Sequence, residues 1–163
     1  MERMKACTKC GQIKPLSAFS KHRLTKDGHA YHCKECNAEL GKLWRESAAG
    51  VYSGITGRSN FYKRKEVFIS KEDFIKWHDS QPRICEYCGI QENQTYILRE
   101  YFGSVKSRLT VDCKDNELGY IKGNLTLACD KCNQVKNNIL SYNDMKYIGE
   151  NFIRPKWERW LER

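Results

Sequence analysis

The chain has only three prolines, no apolar run approaching the roughly 20 residues that cross a bilayer, and fewer acidic side chains than basic ones. Each shortage excludes something. With 40% hydrophobic and 30% charged residues and so few prolines, the composition is that of a folding chain and not of a disordered tail. The missing apolar run excludes a membrane-spanning helix. Met1-Glu2-Arg3-Met4-Lys5-Ala6-Cys7 lacks the apolar core of a secretory signal, so the expected location is the cytoplasm. Twenty acidic against 29 basic residues leave a formal net charge of +9, which favours a polyanionic partner through counterion release and steering. Nucleic acid is the first candidate, although a merely soluble basic protein would show the same balance. A length of 163 residues allows one ordinary domain or two very small ones.

Cysteine is what the chain has in excess. Without an export signal the thiols are expected to stay reduced, and disulfides give way to metal as the explanation for nine of them. Eight fall into four Cys-x-x-Cys pairs: Cys7 and Cys10, Cys33 and Cys36, Cys85 and Cys88, Cys129 and Cys132. One such pair supplies only half of a tetrahedral thiolate site, so pairs must combine. Sequential combination gives Cys7, Cys10, Cys33 and Cys36 as one structural zinc site and Cys85, Cys88, Cys129 and Cys132 as a second. Their halves are 22 and 40 residues apart. Cys113 is left over. His29 and His32 lie close enough to Cys33 to be variant ligands, but the four cysteines already fill the tetrahedron.

The pattern along the chain predicts a small N-terminal four-cysteine zinc module over residues 1–48, ending in a helix from Cys33 to Ser47 with Leu40, Leu43 and Trp44 at helical spacing. Residues 49–62 carry three glycines and no periodicity and are expected to be a connector. Residues 63–163 then form the second domain. A short strand at 67–69 precedes a helix capped by Ser70 and Asp73 and running to about His78, with Phe74 and Trp77 on its buried face. Arg108 to Cys113 alternates as a strand does, 116–123 reads as a polar loop, Leu125 to Ala128 as a second strand, and Asn133 to about Leu140 as a helix. A helix starting at Ser141 and a last one opened by Pro155 complete the α+β reading.

The run Leu109-Thr-Val-Asp112-Cys113 through Gly119-Tyr120, Asn124, Ala128-Cys129-Asp-Lys-Cys132-Asn133 and Lys136 resembles the strand, loop, strand and helix of the HNH (His-Me finger, ββα-metal) endonucleases. The leading Cys-x-x-Cys module and Cys85-Glu-Tyr87-Cys88-Gly89 extend the likeness to a zinc-rich subgroup with phage and restriction endonucleases. The resemblance implies a metal-dependent DNA endonuclease of bacterial or phage-infected host cytoplasm, acting on double-stranded DNA. A homodimer fits it, since one active site cuts one strand. It implies that Asp112 and Asn133 hold a catalytic Mg²⁺ or Mn²⁺, that Asn124 is a structural residue pinning the loop, and that Arg64 is an auxiliary catalytic residue. The family's general-base histidine follows the aspartate; here Cys113 stands in that place, and the zinc-rich subgroup has arginine there. No histidine of this sequence is placed to substitute. Tyr120, matching the subgroup's tyrosine after glycine, is the candidate to activate water or act on the phosphate.

The residues make chemical sense beside that likeness. Phosphodiester hydrolysis needs a charge clamp on the developing phosphorane, and a carboxylate with an amide oxygen suits a hard cation where a thiol does not. Lys63, Arg64, Lys65 and Lys136 are the candidate phosphate-binding cations. Each residue also has a plain structural reading: Asp112 pairing with a lysine, Asn133 capping a helix, Tyr120 packing at a strand end. Cys113 keeps alive the alternative of a catalytically silent HNH-fold module that binds DNA or protein.

Overall fold

The computed structural model describes residues 3–62, 67 and 69–162, with 58–62 given by their backbone alone. The chain divides into two compact units, Met1–Gly50 and Val51–Arg163. Lys63, Arg64 and Lys65, expected to meet phosphates, lie outside the described residues.

In the first unit, strands β1 (Met4–Ala6) and β2 (Ile13–Pro15) pair antiparallel around the first cysteine pair. The turn between them closes by Gly11 N–H to Cys7 O at 2.8 Å, with Gly11 at φ +72°, a conformation that costs glycine little. Strands β3 (Phe19–Lys21) and β4 (His29–Cys33) form a second antiparallel pair, and β4 runs directly into helix α1 (Lys34–Glu46), with Cys33 as the N-cap residue. The core of this unit is Cys7, Phe19, Cys33 and Cys36, with Ala18 packed against it. Three of those four side chains are cysteines. So little apolar surface contributes little against chain entropy, and a metal held by the four cysteines would add to it.

Residues 49–62, read from the sequence as a connector without periodicity, lie within helix α2 (Ala48–Tyr62). Val51, Tyr52 and Ile55 pack against the core of the second unit, and that burial outweighs the cost of three glycines in the helix.

The second unit holds the larger core. Helix α3 (Lys71–Ser80) starts as its sequence predicts, with Ser70 Oγ accepting the Asp73 N–H at 3.1 Å. Of the expected strand at 67–69, the described residues show a bridge between Val67 and Tyr120 and a bond from Ile69 N–H to Tyr120 O at 3.2 Å. A 3₁₀ stretch (Glu92–Leu98) and the short helix α4 (Arg99–Phe102) lead to β5 (Thr110–Cys113), which pairs antiparallel with β6 (Leu125–Ala128), Asp112 opposite Thr126. Helix α5 (Asp130–Lys136) follows without a linker, and strand, strand and helix pack together. It begins three residues earlier than its periodicity indicates, because Cys129 caps it, and it ends where Asn137 takes φ +46°. The remaining chain is continuously helical from Tyr142: α6 (Tyr142–Ile148), a π turn (Gly149–Ile153) and α7 (Arg154–Leu161). No helix among the described residues is long and apolar enough to cross a membrane.

This C-terminal stretch clamps the knuckle Cys85–Cys88. Lys146 Nζ donates to Glu86 O at 2.6 Å, Tyr142 donates its hydroxyl to the Glu86 carboxylate, and Arg154 Nε donates to Cys88 O at 3.0 Å. Gly149 makes the approach possible, since a Cβ there would lie 2.5 Å from Tyr87 O. Gly149→Ala is therefore expected to lower unfolding free energy by about 1–3 kcal/mol in chemical denaturation. Gly57→Ala, whose added carbon meets nothing within 4 Å, should not destabilise.

Candidate active site and metal centres

The same local device builds both cysteine clusters. In each knuckle the first cysteine's N–H reaches the residue after the glycine: Cys7 N to Gln12 O and Cys85 N to Ile90 O, both at 2.9 Å. In each, a strand then delivers the third cysteine as the N-cap of a helix, Cys33 on α1 and Cys129 on α5, and the fourth sits one helical turn on. Within each set of four the sulfur atoms all lie within 4.8 Å of one another, and Cys88 and Cys129 are 3.9 Å apart. A tetrahedral zinc site with bonds of about 2.3 Å needs sulfurs about 3.8 Å apart, so both sets fit. Among the described residues these are the groups of three or more His, Cys, Asp or Glu side chains that can hold a metal.

Electrostatics point the same way. Hydrogen bonds from Cys129, Cys132 and Cys88 hold the Cys85 thiol far below its ordinary range, while crowding led by Cys129 pushes Cys132 far above it. In the first cluster the Cys10 backbone N–H leads in lowering Cys7 to about 5, and burial pushes Cys36 up to about 12. Ionising all four thiols in such a space would need a cation to offset their charge. His32 Nδ1 instead meets Thr8 Oγ1 at 2.9 Å, and His29 Nδ1 meets Asp27 O at 2.8 Å, so both histidines are engaged away from the sulfurs. Seven of the eight sulfur ligands are buried; Cys10 is exposed.

The second cluster encloses the ββα element. Thr110 and Asp112 alternate onto one face of β5, about 7 Å apart along the strand. Asn133 and Lys136, one turn apart on α5, meet them: Asn133 Nδ2 donates to Thr110 Oγ1 at 2.9 Å, and Lys136 Nζ lies 3.5 Å from Asp112 Oδ2. Two rungs thus hold strand face to helix face, with Asp112 meeting Lys136 and Asn133 meeting Thr110. Asn133 lies inside the helix and does not cap it.

Lys136 is a correction to the sequence reading. It is 0% exposed, and besides Asp112 it donates to Cys113 O and to Asn116 Oδ1, each at 2.8 Å. A lysine tied down on three sides beneath the surface does not present its charge to a phosphate backbone. Its side chain neutralises Asp112, which is 5% exposed.

Tyr87 is the residue that sequence reasoning misses. Its hydroxyl donates to Asp112 Oδ2 at 2.7 Å from a side chain with no exposure. Burial, and then the Asp112 charge, push its phenol far above the ordinary tyrosine range, so in this arrangement it donates and does not ionise. The available signal is the motif Cys85-Glu-Tyr87-Cys88, whose third position faces inward once the knuckle closes. Tyr120 is placed differently. Its carbonyl accepts the Ile69 N–H at 3.2 Å, and its half-buried ring packs against the core. Asn124 ties the loop between the strands: Oδ1 accepts Asp115 N–H at 2.8 Å, and Nδ2 donates to Asp115 O at 2.9 Å and to Gly119 O at 2.8 Å. Cys113 is buried at the end of β5.

No family model and no curated protein matches the sequence. Among solved structures the chain is similar to the rare-cutting HNH restriction endonuclease PacI, a structure described for its mechanism of DNA perturbation. The TM-score is 0.58 at 24% identity, over 97% of this chain and 99% of that one. The two share an α+β fold of the HNH kind, here carrying two four-cysteine clusters able to hold zinc.

Native mass spectrometry should find two zinc ions per chain; one or none in protein prepared without chelator would refute the assignment of the clusters. Cys129→Ser should unfold the second unit, because binding energy there is folding energy. Lys136→Met should cost about 3–5 kcal/mol in denaturant titration, since it strands the Asp112 carboxylate without its counter-charge. A loss below about 1 kcal/mol would show that the pair does not hold the strand to the helix.

Proposed function

We propose that the chain is a metal-dependent endonuclease that hydrolyses phosphodiester bonds of double-stranded DNA. The observation that carries this reading is the pair of rungs that sets the Asp112 carboxylate and the Asn133 carboxamide on facing surfaces of strand and helix, inside a ββα element braced by four cysteines. That donor set is hard oxygen, the chemistry of Mg²⁺ or Mn²⁺, and a cation there would offset charge on the developing phosphorane. Lys136 and Tyr87 hold the carboxylate in place through its Oδ2 atom. Tyr120 is the proposed group for orienting or activating the attacking nucleophile, and Arg64 assists. Lys63, Arg64 and Lys65, within a chain of net charge +9, supply phosphate contacts. A homodimer would give each strand its own active site. The HNH restriction endonuclease of similar fold supports the reaction class.

One feature favours a second reading, a catalytically silent module that binds DNA or protein. A buried thiol, Cys113, stands where the family's general base follows the aspartate, and Asp112 itself is nearly covered.

Cleavage of supercoiled plasmid in Mg²⁺ and in Mn²⁺, with chelator controls, separates the two. Asp112→Asn is the better probe than Asp112→Ala: both remove the counter-charge of Lys136, but asparagine preserves size and an acceptor for the Tyr87 hydroxyl and the Lys136 ammonium, whereas alanine leaves a void. It should abolish cleavage while zinc content and DNA binding persist. Tyr120→Phe should slow cleavage on the order of a hundredfold, and Cys113→Ser should matter less. Full activity in Tyr120→Phe with a dead Cys113→Ser would make the thiol the base. An inert wild type in which Cys113→His gains metal-dependent cleavage would establish the silent module.

A further inference from the structure

The second unit has a cavity of about 280 Å³ away from the cysteines, between α3 and the end of the loop that leads into β6. Its lining includes Asp73, Lys76, Trp77 and Ser80 from the helix, and Lys122 and Gly123 from the loop. The four helical residues recur at intervals of three and four, so they share one face of α3. Trp77 is only half buried, and Phe74, whose ring centroid lies 5.6 Å away, supports it from within the core. The floor is apolar, made by Ile69 and Leu125. Both lysines are exposed. The volume is near the lower end of the range for ligand pockets, about 300 Å³, enough for one flat ring system and too small for a folded peptide element.

A supported indole beside two ammonium groups has two complements at once, a planar π face and an anion. A nucleotide unit offers both, base to Trp77 and phosphate to Lys76 and Lys122. The Asp73 carboxylate, which accepts the Ser70 hydroxyl at 2.8 Å, disfavours a simple polyanion without a base and leaves room for an exocyclic amino group as donor. The loop turns at Gly123 with φ +86°, and the space beside it is open, with nothing within 4 Å of where a side chain would be.

We propose that this cavity is a subsite for one unpaired nucleotide of a DNA strand, stacked on Trp77 and held through its phosphate by Lys76 and Lys122. The proposal rests on the reading of the chain as a DNA-acting protein. It adds that the chain takes up a base outside the duplex stack, at a place separate from Asp112 and Asn133.

The test is titration of the full zinc-loaded chain with a short single-stranded oligonucleotide, followed by tryptophan fluorescence. The controls are the same oligonucleotide made entirely of abasic units and a duplex of mixed sequence. Single strand is expected to quench the emission, and the abasic strand to leave it unchanged. Trp77→Leu should lose most of the quench and weaken single-strand binding about tenfold, with duplex binding retained. Lys122→Glu, in an exposed loop position that does not threaten folding, should weaken single-strand binding by a similar factor at low salt and by less as salt rises. Equal quenching by abasic and normal strands, or wild-type single-strand affinity in both variants, would overturn the subsite. If duplex is bound normally in those cases, the endonuclease reading is untouched. Failure to bind either form of DNA would instead sink that reading, and the subsite with it.

Discussion

Everything around the candidate active site depends on four sulfur atoms being held closer together than four thiolates tolerate alone. Cys85 and Cys88 come from a knuckle, and Cys129 and Cys132 from the junction of β6 and α5. Their convergence joins segments about 40 residues apart and ties the knuckle to the β6–α5 junction of the ββα element. The knuckle is also hydrogen-bonded to the sheet, with Glu86 N–H donating to Leu127 O at 2.8 Å. Tyr87 is thereby delivered against Asp112 by the same turn that delivers two metal ligands. In this architecture the geometry of a carboxylate is set by a cluster that takes no part in its chemistry.

The buried charge at the centre of the element follows a related logic. A lone carboxylate at the position of Asp112 would be expensive to desolvate, and Lys136 makes it tolerable. Lys136 in turn has its remaining protons satisfied by Cys113 O and Asn116 Oδ1, so the ammonium joins strand, loop and helix. Such a pair contributes little net stability compared with apolar packing. Its value lies in register: slipping β5 by one residue would turn Asp112 away from the helix and leave the buried Lys136 ammonium without its counter-charge.

Much of this is legible in the sequence, for reasons that differ by residue. The cysteine ligands are readable because tetrahedral thiolate coordination imposes spacing on the chain itself. Ser70 with Asp73 and Ser141 with Asp144 are readable because capping is local, decided within four residues. The α2 segment is not, because its helicity comes from Val51, Tyr52 and Ile55 finding a core that local propensity cannot see. Lys136 misleads for a similar reason: a lysine in a basic chain looks like a surface residue until the fold closes over it. Tyr87 escapes notice because the motif that contains it is read for its flanking metal ligands, while its role depends on facing Asp112, 25 residues away, once the knuckle closes.

The two cysteine clusters share a blueprint and differ in how they meet solvent. All four sulfurs of the second are buried, whereas in the first Cys10 is exposed. With both clusters metal-loaded, a chelator or an oxidant would meet an exposed ligand at one centre only, and the first would be expected to lose its ion before the second. The N-terminal unit, whose core is mostly its own ligands, would come apart while the ββα element stays assembled. The more accessible of the two centres thus belongs to the unit that does not contain Asp112.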